Sequence, residues 1–224
     1  MHVKINYEIF TEKGQLHREK GKNNEDAFEI VSTRDCTFVI AADGFGSQEF
    51  AEQASGNTVD FIKNYCFNYG ENFFIEKNSN DCIKKMIFDL QDALYSQADK
   101  YKRKYRFDTT LIIFAVNIPL KKYITIHVGD GIVAALNEKV WELISLPENG
   151  ASKSYTYSVA SGNVFDHLRV NFGNITDYSS FFISTDGYFE NCSLNKYGDE
   201  ISKQKTVAGF DDMTYCQIKI DAVE

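Results

Sequence analysis

Phe38-Val39-Ile40-Ala41-Ala42-Asp43-Gly44-Phe45-Gly46-Ser47 sends five small or apolar residues straight into an aspartate and a glycine-rich turn. A continuous apolar run bounded by turn residues predicts a strand buried on both faces. Ending that strand on Asp43 brings a carboxylate to the rim of the core, where its charge must be compensated. Gly44 and Gly46 let the backbone turn sharply and bring carbonyl oxygens close to a ligand.

The same device recurs outward along the chain. Ser180–Thr185 runs into Asp186-Gly187, and Ile124–Val128 runs into Gly129-Asp130-Gly131. Glu25-Asp26 precedes one apolar stretch and Asp211-Asp212 another, and these acids adjoin glycine, asparagine or a further acid. Singly, an Asp-Gly pair is only a turn. Repeated at the ends of apolar strands, such pairs imply carboxylates gathered at one end of a sheet. Crowded carboxylates raise one another's pKa and cannot all stay ionised without cations. Ligands that are all oxygen favour Mg²⁺ or Mn²⁺ over zinc. Two such ions about 3.5–4 Å apart can share a water, lower its pKa and clamp a phosphoryl group in line with it.

The rest of the chain supplies a frame for that cluster. Residues 3–10, 27–32 and 36–42 read as strands, and the polar, glycine-punctuated residues 11–25 as a loop. Ser47 is placed to cap a helix through about Tyr65, and a second helix is expected from Asp81 to about Tyr105. The basic run Lys100–Arg106 falls at its carboxyl end, where it reads as a solvated helix terminus. Strands are expected at 110–117, 123–128, 132–136, 140–145, 168–172, 180–185 and 213–220, with a helical region from Tyr197 to about Lys205. Residues 146–163 read as a mobile flap. Strands, two helices, strands, helix and strand without βαβ alternation indicate an α+β fold, two antiparallel sheets packed as a β-sandwich and flanked by α-helices.

Composition sets outer limits. At 224 residues, 43% hydrophobic and 25% charged, the chain reads as one globular domain over 1–224. Its 24 Lys and Arg against 32 Asp and Glu give a formal charge of −8, which argues against a nucleic-acid partner. Five cysteines, Cys36, Cys66, Cys82, Cys192 and Cys216, include no CxxC pair, as expected of reduced thiols in the cytoplasm. None sits in a phosphate-cradling loop followed by arginine, so no cysteine-nucleophile phosphatase is indicated. The N-terminus alternates like a strand and not like a secretory signal. No apolar run approaches the roughly 18–20 residues that cross a bilayer, so no membrane association is expected.

Taken in order, Asn24-Glu25-Asp26-Ala27, Ala42-Asp43-Gly44-Phe45-Gly46, Thr109-Thr110-Leu111, Val128-Gly129-Asp130, Ser184-Thr185-Asp186-Gly187 and Asp211-Asp212-Met213-Thr214 resemble the type 2C metal-dependent protein serine/threonine phosphatases. The match in order and spacing runs from about Leu16 to Ile218, and His17 followed by Glu25-Asp26 is similar to the shorter bacterial branch. The resemblance implies αββα layers, a binuclear Mg²⁺ or Mn²⁺ centre, and hydrolysis of phosphoserine and phosphothreonine esters in proteins. By position, Asp43 would bridge both ions with the Gly44 carbonyl on one, and Asp186 and Asp211 would hold the other. These three aspartates would act catalytically through the activated water. Glu25 or Asp26 would join directly or through water, and Asp130 with Asp186 and Glu190 would serve a weaker third ion. Thr109 and Thr110 would support the site from the core. A cognate serine/threonine kinase is the implied signalling counterpart.

Two positions depart from the family pattern. The phosphate-gripping arginine is replaced by Gly21, leaving His17, Arg18, Lys20 or Lys22 to substitute. Phe45 stands where many eukaryotic members carry a histidine able to protonate the leaving alkoxide. These losses define an alternative, a phosphatase-like binding or regulatory module of weak or absent activity. Elsewhere, His127 reads as a core histidine, His167 and Arg169 flank a strand without an assigned role, and Tyr155 and Tyr157 read as packing.

Overall fold

Two five-stranded antiparallel sheets lie face to face, in the orders β1-β10-β9-β6-β7 and β2-β3-β4-β5-β8. The strands are β1 (His2–Glu12), β2 (Asp26–Ser32), β3 (Cys36–Asp43), β4 (Leu111–Asn117), β5 (Lys122–Val128), β6 (Ile132–Asn137), β7 (Val140–Ser145), β8 (Arg169–Asn174), β9 (Ser180–Ser184) and β10 (Met213–Val223). The helices are α1 (Gln15–Glu19), α2 (Ala51–Tyr69), α3 (Ser79–Lys100), α4 (Val164–His167) and α5 (Asp186–Asn191). They belong to a computed structural model that describes residues 2–101, 106–150, 156–191 and 211–223.

The unbroken apolar run of β3 is explained by its two neighbours. Phe38, Ile40 and Ala42 pack under α2 and α3 with Ile62, Ile87 and Leu90. Val39 and Ala41, pointing the other way, join Phe114, Phe181, Ile183 and Ile218 between the sheets. Side chains alternate faces along a strand, so one covered on both sides has no polar position to spare. The buried faces of α2 (Ala51, Ala54, Ser55, Val59, Ile62, Cys66) and α3 (Ile83, Met86, Ile87, Leu90, Leu94) follow helical spacing. Tyr188 of α5 closes the far side of the first sheet with Phe182 and Tyr215. Among the described residues no helix is long and apolar enough to cross a membrane.

Three expectations need correction. Residues 11–25 contain the one-turn helix α1. Ser47 does not cap α2: Phe50 holds that position without a side-chain cap, because the Gln48 amide donates back to the Phe45 carbonyl at 2.7 Å and closes a turn there. Asp186-Gly187 is no loose turn but opens α5. The expected helix at Tyr197–Lys205 and most of the Lys100–Arg106 run fall outside the described residues.

Candidate metal centre

The hairpin of β2 and β3 sets Asp26 opposite Asp43, at the end where both strands leave the sheet. Three main-chain bonds hold Asp43 in place. Its amide donates to Thr110 Oγ1 at 2.9 Å, and its carbonyl accepts from Thr109 Oγ1 at 2.6 Å and the Thr110 amide at 2.9 Å. Neighbouring Gly44 donates to the Glu25 carbonyl at 3.1 Å, which the hydroxyl of Ser55 on α2 also approaches at 2.6 Å. A Cβ on Gly44 would lie 2.3 Å from the Ala51 carbonyl oxygen. Only glycine fits between the strand end and the first turn of α2.

Asp43 opens into a cavity of about 260 Å³ lined also by Gly44, Phe45, Asp130, Thr156, Asp186 and Asp211. Four segments meet there: the end of β3, the turn after β5, the start of α5 and the loop two residues before β10. Asp130 accepts a short hydrogen bond from Thr156 Oγ1. The Asp43 carboxyl is pushed well above its usual range, first by withdrawal from water and then by the charges of Asp186, Asp26, Asp211 and Asp130. Asp26 is raised to about 7, again chiefly by withdrawal from water, with the Asp212 charge adding to it and the hydroxyls of Thr214 and Thr185 opposing. The Thr185 bond to Asp26 Oδ2 is 3.0 Å, and Asp26 Oδ1 is buried with no hydrogen-bond partner. An unpaired buried carboxylate oxygen beside converging acids fits a hard cation better than it fits a dry core.

Asp212, next to Asp211, does different work. Its Oδ1 accepts from the Gly14 amide at 2.7 Å, and its Oδ2 from the Glu25 amide at 2.5 Å with His17 Nδ1 at 2.7 Å. The other ring nitrogen of His17 lies 3.3 Å from Glu25 Oε2. His17, Asp211 and Asp212 offer ligand atoms within 4.8 Å of one another, but His17 and Asp212 are spent on this clasp. Its sequence signal was the doubled acid before a strand. Thr156 and Ser55 carried no such signal.

The residues considered for phosphate binding are placed differently from one another. His17 is buried in the clasp. Arg18 pairs with Glu12, and Lys20 is exposed. Lys22 reaches Glu25 Oε1 at 2.8 Å and the Gly46 carbonyl at 3.0 Å, which puts its ammonium at the turn lining the acidic cavity. The side chain of Glu190 lies outside the described residues.

His127 is fully buried, with Nδ1 2.8 Å from Ser145 Oγ, and burial followed by the Arg169 charge holds its pKa well below the ordinary value. Arg169 donates to the Gly129 carbonyl at 2.5 Å and pairs with Glu148, which also lies 2.8 Å from His167 Nδ1. Tyr157 stacks on the His167 ring; Tyr155 is outside the described residues. Cys36, Cys66, Cys82 and Cys216 are free thiols.

A second cavity, of about 820 Å³, adjoins the acidic one and shares Phe45, Ser47 and Thr156 with it. Leu94, Phe107 and Ala98 form its apolar side, and Gln48, Arg106, Asp108 and Ser161 are among its polar groups.

A family model described as protein phosphatase 2C matches residues 13–216. No curated protein sequence matches the chain. Among solved structures, a bacterial serine phosphatase bearing a point mutation superposes with a TM-score of 0.79 at 18% identity, covering 99% of this chain and 100% of that one. The serine/threonine phosphatase Stp1 from Staphylococcus aureus gives 0.76 at 17% identity over 98% and 96% of the two chains. RsbX, solved in complex with magnesium, gives 0.63 at 18% identity over 97% and 96%.

Proposed function

The chain belongs to the protein phosphatase 2C family, whose model spans residues 13–216, and from that membership we propose that it hydrolyses phosphoserine and phosphothreonine esters in proteins with the help of Mg²⁺ or Mn²⁺. The observation that carries the reading is the convergence of Asp43, Asp130, Asp186 and Asp211 on one small cavity, with Asp26 directly across from Asp43. A bound cation would relieve the mutual repulsion that, after withdrawal from water, raises the Asp43 carboxyl.

In this reading Asp43, the Gly44 carbonyl, Asp186 and Asp211 would hold the ions. Asp26 or Glu25 would contribute through ordered water, and Asp130 would serve a weaker third ion. When bound, the ions supply positive charge for the phosphoryl group and make a nucleophile from water near neutral pH. The protein's own part is positional. Thr109 and Thr110 fix the Asp43 main chain, so that its carboxylate stays aimed at the cavity without reorganising. Lys22, whose ammonium sits at the cavity rim on Glu25 and the Gly46 carbonyl, is a cation placed to steady the substrate phosphate in place of the missing arginine. Phe45 offers no proton, so the leaving alkoxide must take one from solvent. The proposed setting is cytoplasmic, opposite a cognate kinase.

The test is phosphate release from a phosphopeptide panel with and without Mn²⁺. Asp43→Ala and Asp186→Ala should each lower turnover by about 10²–10³-fold, the loss expected when a principal electrostatic group is removed. Turnover that persists in excess chelator would refute the mechanism. Phe45 and the engagement of Lys22 with Glu25 favour a second reading, a binding module; metal uptake by calorimetry with no turnover on any peptide would select it.

A further inference from the structure

The first sheet ends on β1, and among the described residues no strand pairs with its outer side. Among the described residues it is the longest sheet edge: eleven residues, against seven in β2 and six each in β7 and β8. All eleven are paired with β10 on the inner side, and the main-chain groups facing away from β10 form a template for another strand. Ile5, Tyr7 and Ile9 stand opposite Ile220, Ile218 and Cys216, so they share the face that Ile218 and Cys216 bury between the sheets. Yet Tyr7 is 55% and Ile9 43% exposed, because β2, the rim of the opposing sheet, packs against β10 and the row runs on beyond that cover. The other face of β1 carries Lys4, Asn6 and Glu8, all exposed.

We propose that this edge joins a second copy of the chain, β1 against β1, antiparallel about a two-fold axis at Asn6. In that register each Lys4 faces the partner's Glu8 and each Ile5 faces the partner's Tyr7, while Asn6 meets its own copy. The charges fall on one face and the apolar row on the other. An axis at Lys4 or at Glu8 would set a charge against its own copy, which is unfavourable for directly opposed residues. Charges on an edge normally hinder pairing; here they select one register. The two first sheets become a single ten-stranded sheet. A contact built mainly from one strand pair lies at the small end of specific interfaces, below about 1,200 Å², so a dimer that dissociates at micromolar concentrations is expected.

Sedimentation of the full chain over a concentration series should show that equilibrium. Glu8→Lys should raise the dimer dissociation constant at least tenfold. Adding Lys4→Glu to it should restore dimerisation, which a misfolded variant could not do. In the proposed register the two Asn6 Cα atoms are about 4.5–5.5 Å apart, within the roughly 4.4–6.8 Å that a disulfide spans. Asn6→Cys should therefore give a covalent dimer under mild oxidation, while Thr11→Cys and the unaltered chain should not. A chain that stays monomeric at high micromolar concentration, a dimer indifferent to Glu8→Lys, or cross-linking through Thr11→Cys as fast as through Asn6→Cys would each overturn the proposal.

Discussion

Stripped of divalent cations, the protein should lose stability as the pH rises from about 4 to 7, and Asp26 should account for much of the loss. Its carboxyl is raised from 3.8 to about 7 in the folded chain, mostly by withdrawal from water. Across that window the folded state keeps a proton that the unfolded chain gives up. Because the native state then binds more protons, the free energy of unfolding falls with rising pH. The contribution is intact below the unfolded-chain pKa and gone above pH 7. Roughly three pH units at about 1.4 kcal/mol each bound it near 4 kcal/mol, which for a domain of this size is on the order of 8–16 °C in melting temperature. Asp43, raised for the same reasons, acts in the same direction. The assay is thermal or urea unfolding in chelator from pH 4.5 to 7.5, for the native chain and Asp26→Asn. The amide does not titrate, so the variant should show a flatter profile, and the difference between the two reports Asp26 together with its coupling to Asp43. Saturating Mn²⁺ should reverse the trend by favouring the ionised forms. Equal slopes for the two proteins, or a profile that Mn²⁺ leaves unchanged, would refute the reasoning.

Asp212→Ala should cost about 3–5 kcal/mol by removing one partner of a buried charged cluster, since the Gly14 and Glu25 amides and His17 all lose their acceptor; an unshifted urea midpoint would contradict this. Thr109→Val removes the hydroxyl that bonds the Asp43 carbonyl and should cost about 1 kcal/mol, with a weaker Mn²⁺ affinity by calorimetry. Gly187→Ala would place a Cβ 2.0 Å from the Asp212 carbonyl oxygen; a loss of about 1–3 kcal/mol from the forced backbone shift, again with weaker Mn²⁺ binding, is expected.

The sandwich was legible because its strands are short, apolar and punctuated. Cys36–Asp43 cannot be amphipathic when α2 and α3 lie on one face and the first sheet on the other, and an unbroken apolar run is what remains. The aspartates were legible for the related reason that a charge at the end of such a run has few uses. What escaped the sequence depended on tertiary partners. One turn of helix at Gln15–Glu19 has no periodicity to reveal it. Ser47 looks like a cap, yet a turn through Phe45 to Gln48 takes the chain past it before α2 begins. His17 reads as a candidate phosphate ligand beside Arg18, Lys20 and Lys22, and only the fold of the final strand shows it to be buried against Asp212.

The clasp at Asp212 also bears on biosynthesis. Residues near the beginning of this sequence, Gly14, His17 and Glu25, wait on an acceptor almost two hundred positions downstream. A nascent polypeptide that has not yet threaded Met213–Val223 out of the ribosome has no means of seating them, however well its hairpins have formed.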